Sequence, residues 1–184
     1  MQRDLVIRAS SGDHEAFALL ATAAYDRLHR TAGLILRSQE LASDAVQDAL
    51  TSAWIHIRAV RDPDRFDAWL NRLVVRASYR ELRRARRGPI QINVEVTQLS
   101  YVGDSASWVA DRDQLERGFR RLSPEHRAVL VVHHYLGLPD GEAATVLDVP
   151  VGTFKSRLNR AHVALRAALE ADGRMAAIAK EAIA

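Results

Sequence analysis

The 184-residue sequence contains no cysteine, only two lysines, and aromatic residues at only 6% of its positions. The absence of cysteine excludes disulfide scaffolds, zinc–thiolate sites, iron–sulfur clusters and a thiol nucleophile. The longest apolar run, Phe17–Tyr25, is interrupted by Thr22 and is far too short to cross a bilayer. The chain begins MQRDLVIRAS and lacks the apolar core of a signal peptide, which predicts a cytoplasmic protein without membrane insertion.

Arginine dominates the charge of this chain. Arginine supplies 24 of the 26 basic residues, although the net charge is only +3. Residues 76–87 hold six arginines and one glutamate, and residues 151–166 hold four basic residues and no acidic one. Positive charge gathered into two stretches, against a nearly balanced remainder, is typical of a protein that binds a polyanion.

The composition is that of a globular protein, with 48% hydrophobic and 27% charged residues. Helical periodicity on both sides of Gly88-Pro89 predicts an all-α fold: two small helical domains joined by a flexible linker, the second a helix-turn-helix. We expect a first domain at 1–88, a linker at 89–110, a second domain at 111–170 and a C-terminal tail at 171–184. Within the linker, apolar residues alternate with polar ones over 90–96, which indicates an extended segment or a short strand.

Turn and capping residues mark the expected helix boundaries. Asp13 is a candidate N-cap for the first clear helix, and Asp62-Pro63-Asp64 separates the next two helices. In the second half, Ser123-Pro124 is typical of a cap followed by a first-turn proline, and Asp140 is a candidate cap. The expected helices after Asp13 run from about Ala42 to Ala59, from about Arg65 through the arginine run, and over Asp111–Leu122, Ser123–Gly137, Asp140–Leu147 and Val151–Leu169. The tail either extends the last helix or frays.

Residues Asp140–Leu169 have the proportions of a helix-turn-helix: a short helix, a tight turn and a longer helix. Ala144 is small enough for close helix approach, and four apolar side chains can form the wedge between the helices: Leu147, Val149, Phe154 and Leu158. The opposite face of the second helix presents Gly152, Thr153, Lys155, Ser156, Arg157, Asn159 and Arg160. Such a face can enter a major groove, although a solvated basic helix face shows the same pattern.

The second half resembles region 4 of bacterial RNA polymerase sigma factors, above all the small extracytoplasmic-function (ECF) group. The resemblance rests on Leu122-Ser123-Pro124, Tyr135-Leu136-Gly137-Leu138, Glu142-Ala143-Ala144, Leu147-Asp148-Val149-Pro150 and Gly152–Leu158. DNA-binding domains of LuxR-type response regulators are similar in this segment, so it leaves both families open.

The first half distinguishes the two families. Ala42–Trp54 resembles sigma region 2.2. The opening helix of the same domain is matched by Gly12-Asp13, Phe17 and Leu20. Regions 2.3 and 2.4 are resembled by Phe66, Trp69-Leu70 and Arg83-Arg84. The resemblance covers residues 5–170 in the correct order. A LuxR-type regulator would carry a receiver or ligand domain here. Family members often have Asn and Asp where this chain has Arg76 and Arg80.

The resemblance implies a transcription initiation factor that directs core RNA polymerase to promoters and promotes DNA melting. It implies contact with the β′ clamp helices and the β flap, promoter DNA as a ligand, and an anti-sigma factor as a further partner. Core polymerase would bind Asp44, Gln47 and Asp48. The −10 element would contact Arg61, Arg65, Arg76, Arg80, Arg83, Arg84 and Arg87, and the −35 element would contact the helix face from Gly152 to Arg160 named above. The alternative is a stand-alone helix-turn-helix regulator.

No catalytic pattern accompanies these motifs. The sequence has no HExxH, no glycine-rich phosphate loop and no recognisable nucleophile triad. His133 and His134 point about 100° apart on a helix, too far to chelate one ion. We therefore expect no enzyme activity, no cofactor and no metal site. Phe66 and Trp69 are candidates for stacking on an unpaired base, but their helical spacing favours positions in the core.

Overall fold

The computed structural model describes the backbone of residues 1–87 and 106–181 and the side chains of residues 1–85 and 113–172. The chain divides into two compact units, residues 1–97 and 98–184. All regular structure within the described ranges is helical, which confirms the all-α prediction. The alternating segment at 90–96 lies outside the described residues.

Within residues 1–87, the first unit forms four helices joined by short connections. They are α1 (Gln2–Ser10), α2 (His14–Leu36), α3 (Gln39–His56) and α4 (Phe66–Arg87), with two 3₁₀ turns, Ile57–Ala59 and Pro63–Arg65, between α3 and α4. Helices α2, α3 and α4 each pack against the other two, and α1 packs against α2 and both 3₁₀ turns. This arrangement leaves one face of α3 and one face of α4 available to other molecules.

Local capping chemistry sets the ends of these helices. The Asp13 side chain accepts a hydrogen bond from the backbone N–H of Ala16 at 3.0 Å, which confirms its predicted capping role. Helix α2 ends at Leu36, and the capping residue Arg37 adopts the left-handed conformation with φ 56°. Ser38 then caps α3 by accepting from the N–H of Leu41 at 3.3 Å. Helix α3 therefore begins three residues before the predicted Ala42.

Aliphatic and alanine side chains fill the core of the first unit. Leu28, Ile35, Leu70 and Val74 are completely buried, and Phe66 is 1% exposed. Helix α3 contributes mainly alanines to this core: Ala42, Ala45, Ala49 and Ala53 are all fully buried. Small side chains on this stripe let α2 and α4 approach α3 closely, while its other face remains polar.

The described part of the second unit, residues 106–181, forms four further helices and one π-helical turn. They are α5 (Ala106–Arg120), α6 (Pro124–Leu130), the π segment (Val131–Tyr135), α7 (Asp140–Val146) and α8 (Val151–Glu181). Helix α5 begins within the range expected for the linker, and α8 continues through much of the expected tail. Helix α8 packs against α5, α6 and α7 and so forms the centre of the unit.

Two of the predicted caps have different outcomes in this unit. Ser123 accepts from the N–H of His126 at 3.3 Å, with Pro124 in the first turn, as predicted. The prediction for Asp140 is wrong, because the N-cap is Pro139 and Asp140 is the first residue of α7. Its carboxylate is therefore not used by the backbone of α7 and faces side chains of neighbouring elements instead.

Candidate nucleic-acid and protein interfaces

Helices α7 and α8 form a helix-turn-helix, as the sequence predicts. The turn contains Asp148 with φ 55°, and the N–H of Val149 donates to the carbonyl of Ala144 at 3.0 Å. Ala144 is 1% exposed, and the wedge residues Leu147 and Phe154 are completely buried. The buried wedge holds the axis of α8 in place against α7, so the outer face of α8 is presented as a rigid surface.

The predicted DNA-contacting residues lie together on α8. Five are exposed and two are half-buried: Gly152, Lys155, Ser156, Asn159 and Arg160 are exposed, and Thr153 and Arg157 are half-buried. The first N–H groups of α8 have no partner within the helix, which favours an anion at this end. The face therefore combines hydrogen-bonding groups with positive charge, as the groove and backbone of DNA require.

An acidic residue lies beside this face, a contact that the sequence did not predict. Asp140 Oδ2 is 3.8 Å from Nζ of Lys155, and Oδ1 is 3.5 Å from Nδ1 of His133. The Asp140 carboxylate therefore competes with phosphate for the Lys155 ammonium group. The contact joins α7 to α8 across the turn. Because Asp140 and Lys155 are 15 positions apart on different helices, helical periodicity does not predict it.

The basic stretch of the first unit follows the exposed side of α4. Arg76, Arg80, Arg83 and Arg84 are exposed, whereas the side chain of Arg87 lies outside the described residues. Arg84 forms an ion pair with Glu81 at 2.6 Å, and the Arg83 guanidinium lies 5.2 Å from the centre of the Tyr79 ring. These local contacts orient two of the arginines along the helix while leaving them accessible.

The connection between α3 and α4 carries the remaining predicted arginines of this unit. Arg61 and Arg65 are exposed, and Arg65 Nε lies 3.8 Å from the Asp62 carboxylate. Asp62 also accepts from the N–H of Asp64 at 3.1 Å, which shapes the turn before α4. Phe66 is buried and belongs to the core, as predicted. Trp69, whose ring centre lies 5.9 Å from that of Phe66, is only half-buried, so the same prediction holds only in part for Trp69.

The residues predicted to bind polymerase lie on the polar face of α3. Asp44 and Gln47 are exposed, and Asp48 is half-buried. The structure brings Asp48 next to α4, where its Oδ2 lies 3.7 Å from Nη2 of Arg80. The predicted polymerase face of α3 and the predicted DNA face of α4 therefore adjoin.

Histidines of the second unit also come together. Nε2 of His134 in the π segment lies 2.7 Å from Nε2 of His162 in α8. His134 is exposed, but the partial desolvation of its ring lowers its pKa, and the nearby His133 and His162 lower it further. The sequence did not predict this pair, because the two residues are 28 positions apart and lie on separate elements. No group of three or more potential metal ligands occurs in the part of the chain that the structure describes.

This fold and its basic faces define a class: a two-unit helical DNA-binding protein whose second unit is a helix-turn-helix. The chain matches the family Sigma-70 region 2 over residues 20–88 and the family Sigma-70, region 4 over residues 112–165. None of the described helices is long and apolar enough to cross a membrane.

Similar proteins extend these matches to nearly the whole chain. The ECF RNA polymerase sigma factor SigM of Mycobacterium tuberculosis is 34% identical over 162 residues, covering 88% of this chain and 81% of SigM. RNA polymerase sigma-H factor of Pseudomonas aeruginosa is 30% identical, covering 91% of this chain and 93% of its own. The structure of CnrH in complex with the cytosolic domain of CnrY matches with a TM-score of 0.57 and 28% identity. The match covers 93% of this chain and 98% of CnrH.

The chain belongs to the sigma-70 family and, within it, to the ECF sigma factors. It is a transcription initiation factor that associates with RNA polymerase. Because both units match in their order along the chain, the alternative of a stand-alone helix-turn-helix regulator is rejected.

Proposed function

We propose that the two units divide promoter recognition between them. The first unit binds core polymerase and the −10 element through residues 1–88, and the second unit binds the −35 element through residues 111–170. The observation that carries this proposal is the separation of two exposed basic faces, one on α4 and one on α8, into two compact units. Each face has its own rigid core, so each can bind one stretch of the same DNA.

In the second unit, α8 enters the major groove of the −35 element. Asn159 follows Lys155 by about one helical turn, Arg160 is the next residue, and all three are exposed. Arginine and asparagine are the side chains that pair bidentately with guanine and adenine edges. Gly152, Thr153, Ser156 and Arg157 lie nearer the helix start and the margins, where they contact phosphate and fix the register.

In the first unit, the arginines of α4 bind the backbone of the −10 element. Arg76, Arg80, Arg83 and Arg84 supply this charge, with Arg87 at the end of the helix. The connection from Arg58 to Phe66, which contains Arg61 and Arg65, captures an unstacked base of the non-template strand. Binding an extruded base offsets the few kcal/mol of unstacking and so favours the open duplex.

Core polymerase binds the polar face of α3 through Asp44, Gln47 and Asp48. An acidic face with two carboxylates fits the β′ clamp helices if those helices present basic side chains. The β flap is the corresponding partner of the second unit. Because polymerase carries out the chemistry, we propose that this chain has no catalytic activity of its own and requires no cofactor.

An anti-sigma factor is a further proposed partner, and the cytoplasm is the proposed location. Two structures support the partner: CnrH with the cytosolic domain of CnrY, and RpoE with the anti-sigma factor NepR from Bartonella quintana, which shares the fold at a TM-score of 0.61 and 24% identity. The chain has no cysteine, so a redox signal would have to be sensed by the partner.

Two single variants test the division of labour against each other. Arg160→Ala in the full chain should weaken holoenzyme binding to a −35-containing duplex while co-elution with core polymerase is unchanged. Asp44→Arg should give the opposite result: co-elution is lost, whereas binding of the free chain, without polymerase, to the same duplex is unchanged. Equal loss of both activities in either variant would reject the proposed assignment. Failure of the folded wild-type chain to co-elute with core polymerase would reject the polymerase contact.

A further inference from the structure

The pair formed by His134 and His162 has a geometry that the promoter function does not use. Their Nε2 atoms lie 2.7 Å apart and their ring centres 5.0 Å apart, with both residues exposed. One neutral imidazole can donate this hydrogen bond to the other. The same convergence of two ring nitrogens is also what a shared metal ion requires.

We propose that His134 and His162 form a two-histidine binding site for a late first-row divalent metal ion of the Zn²⁺ or Cu²⁺ type. Imidazole nitrogen is a preferred ligand of these ions. Zinc–nitrogen bonds are about 2.0–2.1 Å long, so two nitrogens on a tetrahedral ion lie roughly 3.3 Å apart. Opening the pair by roughly 0.6 Å requires only small rotations of two exposed side chains.

The backbone around His134 supports a specialised role for this position. The π segment is closed by a hydrogen bond from the N–H of Leu136 to the carbonyl of Val131 at 2.9 Å, five residues back. Such widened turns are rare, and they occur frequently at functional sites. Because the π turn accommodates an extra residue, His134 is directed differently from a residue that continued the regular course of α6.

The site is limited to two protein ligands. The His133 ring lies edge-on to His134 with centres 4.7 Å apart, and its Nδ1 faces the Asp140 carboxylate, not the His134–His162 pair. Water would therefore occupy the other coordination positions. The absence of cysteine leaves no thiolate elsewhere in the chain to compete for the ion. The bound ion would cross-link the π segment to α8, two elements distant in sequence.

Calorimetric titration of Zn²⁺ into the full-length protein tests the proposal. The wild type should bind one equivalent, and His134→Gln and His162→Gln should each lower the affinity at least tenfold. The double variant should lose little more than either single variant, because the two nitrogens act on one ion. His56→Gln is the matched control: His56 is exposed in the first unit, its Nδ1 lies 2.9 Å from the Ser52 carbonyl, and binding should be unchanged.

A spectroscopic readout separates ligation from a structural effect. Electron paramagnetic resonance with Cu²⁺ should show two coordinated imidazole nitrogens in the wild type and one in each single variant, with melting curves in the absence of metal that match the wild type. Sizing chromatography with Zn²⁺ should show a monomer. A wild type that takes up no Zn²⁺, variants that titrate like the wild type, or binding that occurs only through metal-driven dimers would overturn the proposal.

Discussion

Nη2 of Arg80 lies 3.7 Å from Oδ2 of Asp48, across the contact between α4 and α3. Both side chains are about half exposed, at 52% and 45%, so solvent screens the pair and it contributes little to folding. The contact matters because Arg80 belongs to the proposed −10 surface and Asp48 to the proposed polymerase surface. Each residue therefore limits the charge that the other can offer to its own partner.

Removing Arg80 should affect the two partners in opposite directions. Arg80→Ala should weaken holoenzyme binding to a −10-containing duplex and strengthen core binding slightly, up to about fivefold, because an exposed pair is worth ~0.2–1 kcal/mol. Binding assays with core polymerase alone and with promoter DNA measure the two effects. Arg76→Ala is the control, expected to weaken DNA binding only. Identical behaviour of the two variants in both assays would show that the Asp48 contact has no functional effect.

Removing the Asp140 carboxylate should increase affinity for the −35 element. Asp140→Asn releases Lys155 for phosphate and removes a negative charge near DNA, with an expected gain of about two- to fivefold at low salt. Fluorescence anisotropy of the holoenzyme on a −35 duplex measures this effect. In Asp140→Asn/Lys155→Gln, the gain relative to Lys155→Gln alone should be smaller, because only the loss of negative charge then contributes. Glu142→Gln in the same helix should likewise give a smaller gain. An unchanged gain in the double variant would contradict the role of Lys155.

Asp172 should be a stability determinant of the second unit. It is 8% exposed and contacts Arg117 at 3.2 Å and also Arg121, which anchors the C-terminal part of α8 to α5. Asp172→Asn should destabilise the unit by about 1–2 kcal/mol, less than for a fully buried pair because both arginines are half exposed. Hydrogen exchange of α5 and α8 should accelerate. Glu170→Gln, at an exposed position of the same helix, is the control. Equal exchange rates in the Asp172→Asn and Glu170→Gln variants would contradict the anchoring role of Asp172.

Gly118 should be coupled to Leu169 across the contact between α5 and α8. A Cβ at position 118 would lie 2.8 Å from Cδ2 of Leu169, closer than van der Waals contact allows. In the wild type, Gly118→Ala should change stability little, because ~1 kcal/mol of helix propensity is offset by crowding. In a Leu169→Ala background the same change should be stabilising. Urea unfolding of the four proteins gives the coupling, and additive effects would exclude this crowding.

Asp13 should make the stability of the first unit depend on pH. Hydrogen bonds from the Ala16 N–H and then from Arg8 lower the pKa of Asp13. Its stabilising effect is therefore complete above the unfolded-state pKa near 4 and is lost as the pH falls through the lower folded-state value. Asp13→Asn retains a capping oxygen but not the charge. The difference in unfolding free energy between wild type and variant should narrow from pH 5 to pH 3, and a constant difference would contradict this cause.

Much of the site could be read from local sequence. The Asp13 and Ser123 caps, the wedge around Phe154 and the exposed face from Gly152 to Arg160 depend on periodicity and capping within one helix or one turn. These patterns involve residues three or four positions apart, so they can be recognised without knowing how the helices pack. The order of two family-like segments, one in each half, likewise needed no coordinates.

Only the tertiary structure decided which side chains meet across elements. The pairs Arg80–Asp48, Lys155–Asp140, His134–His162 and Arg117–Asp172 each join separate helices or segments. Helical periodicity specifies which face of an element is buried but not the register or rotation at which two elements pack. The sequence by itself therefore determined the helices, the basic faces and the family resemblance. The packing of those helices decided which charges oppose one another and which two histidines converge.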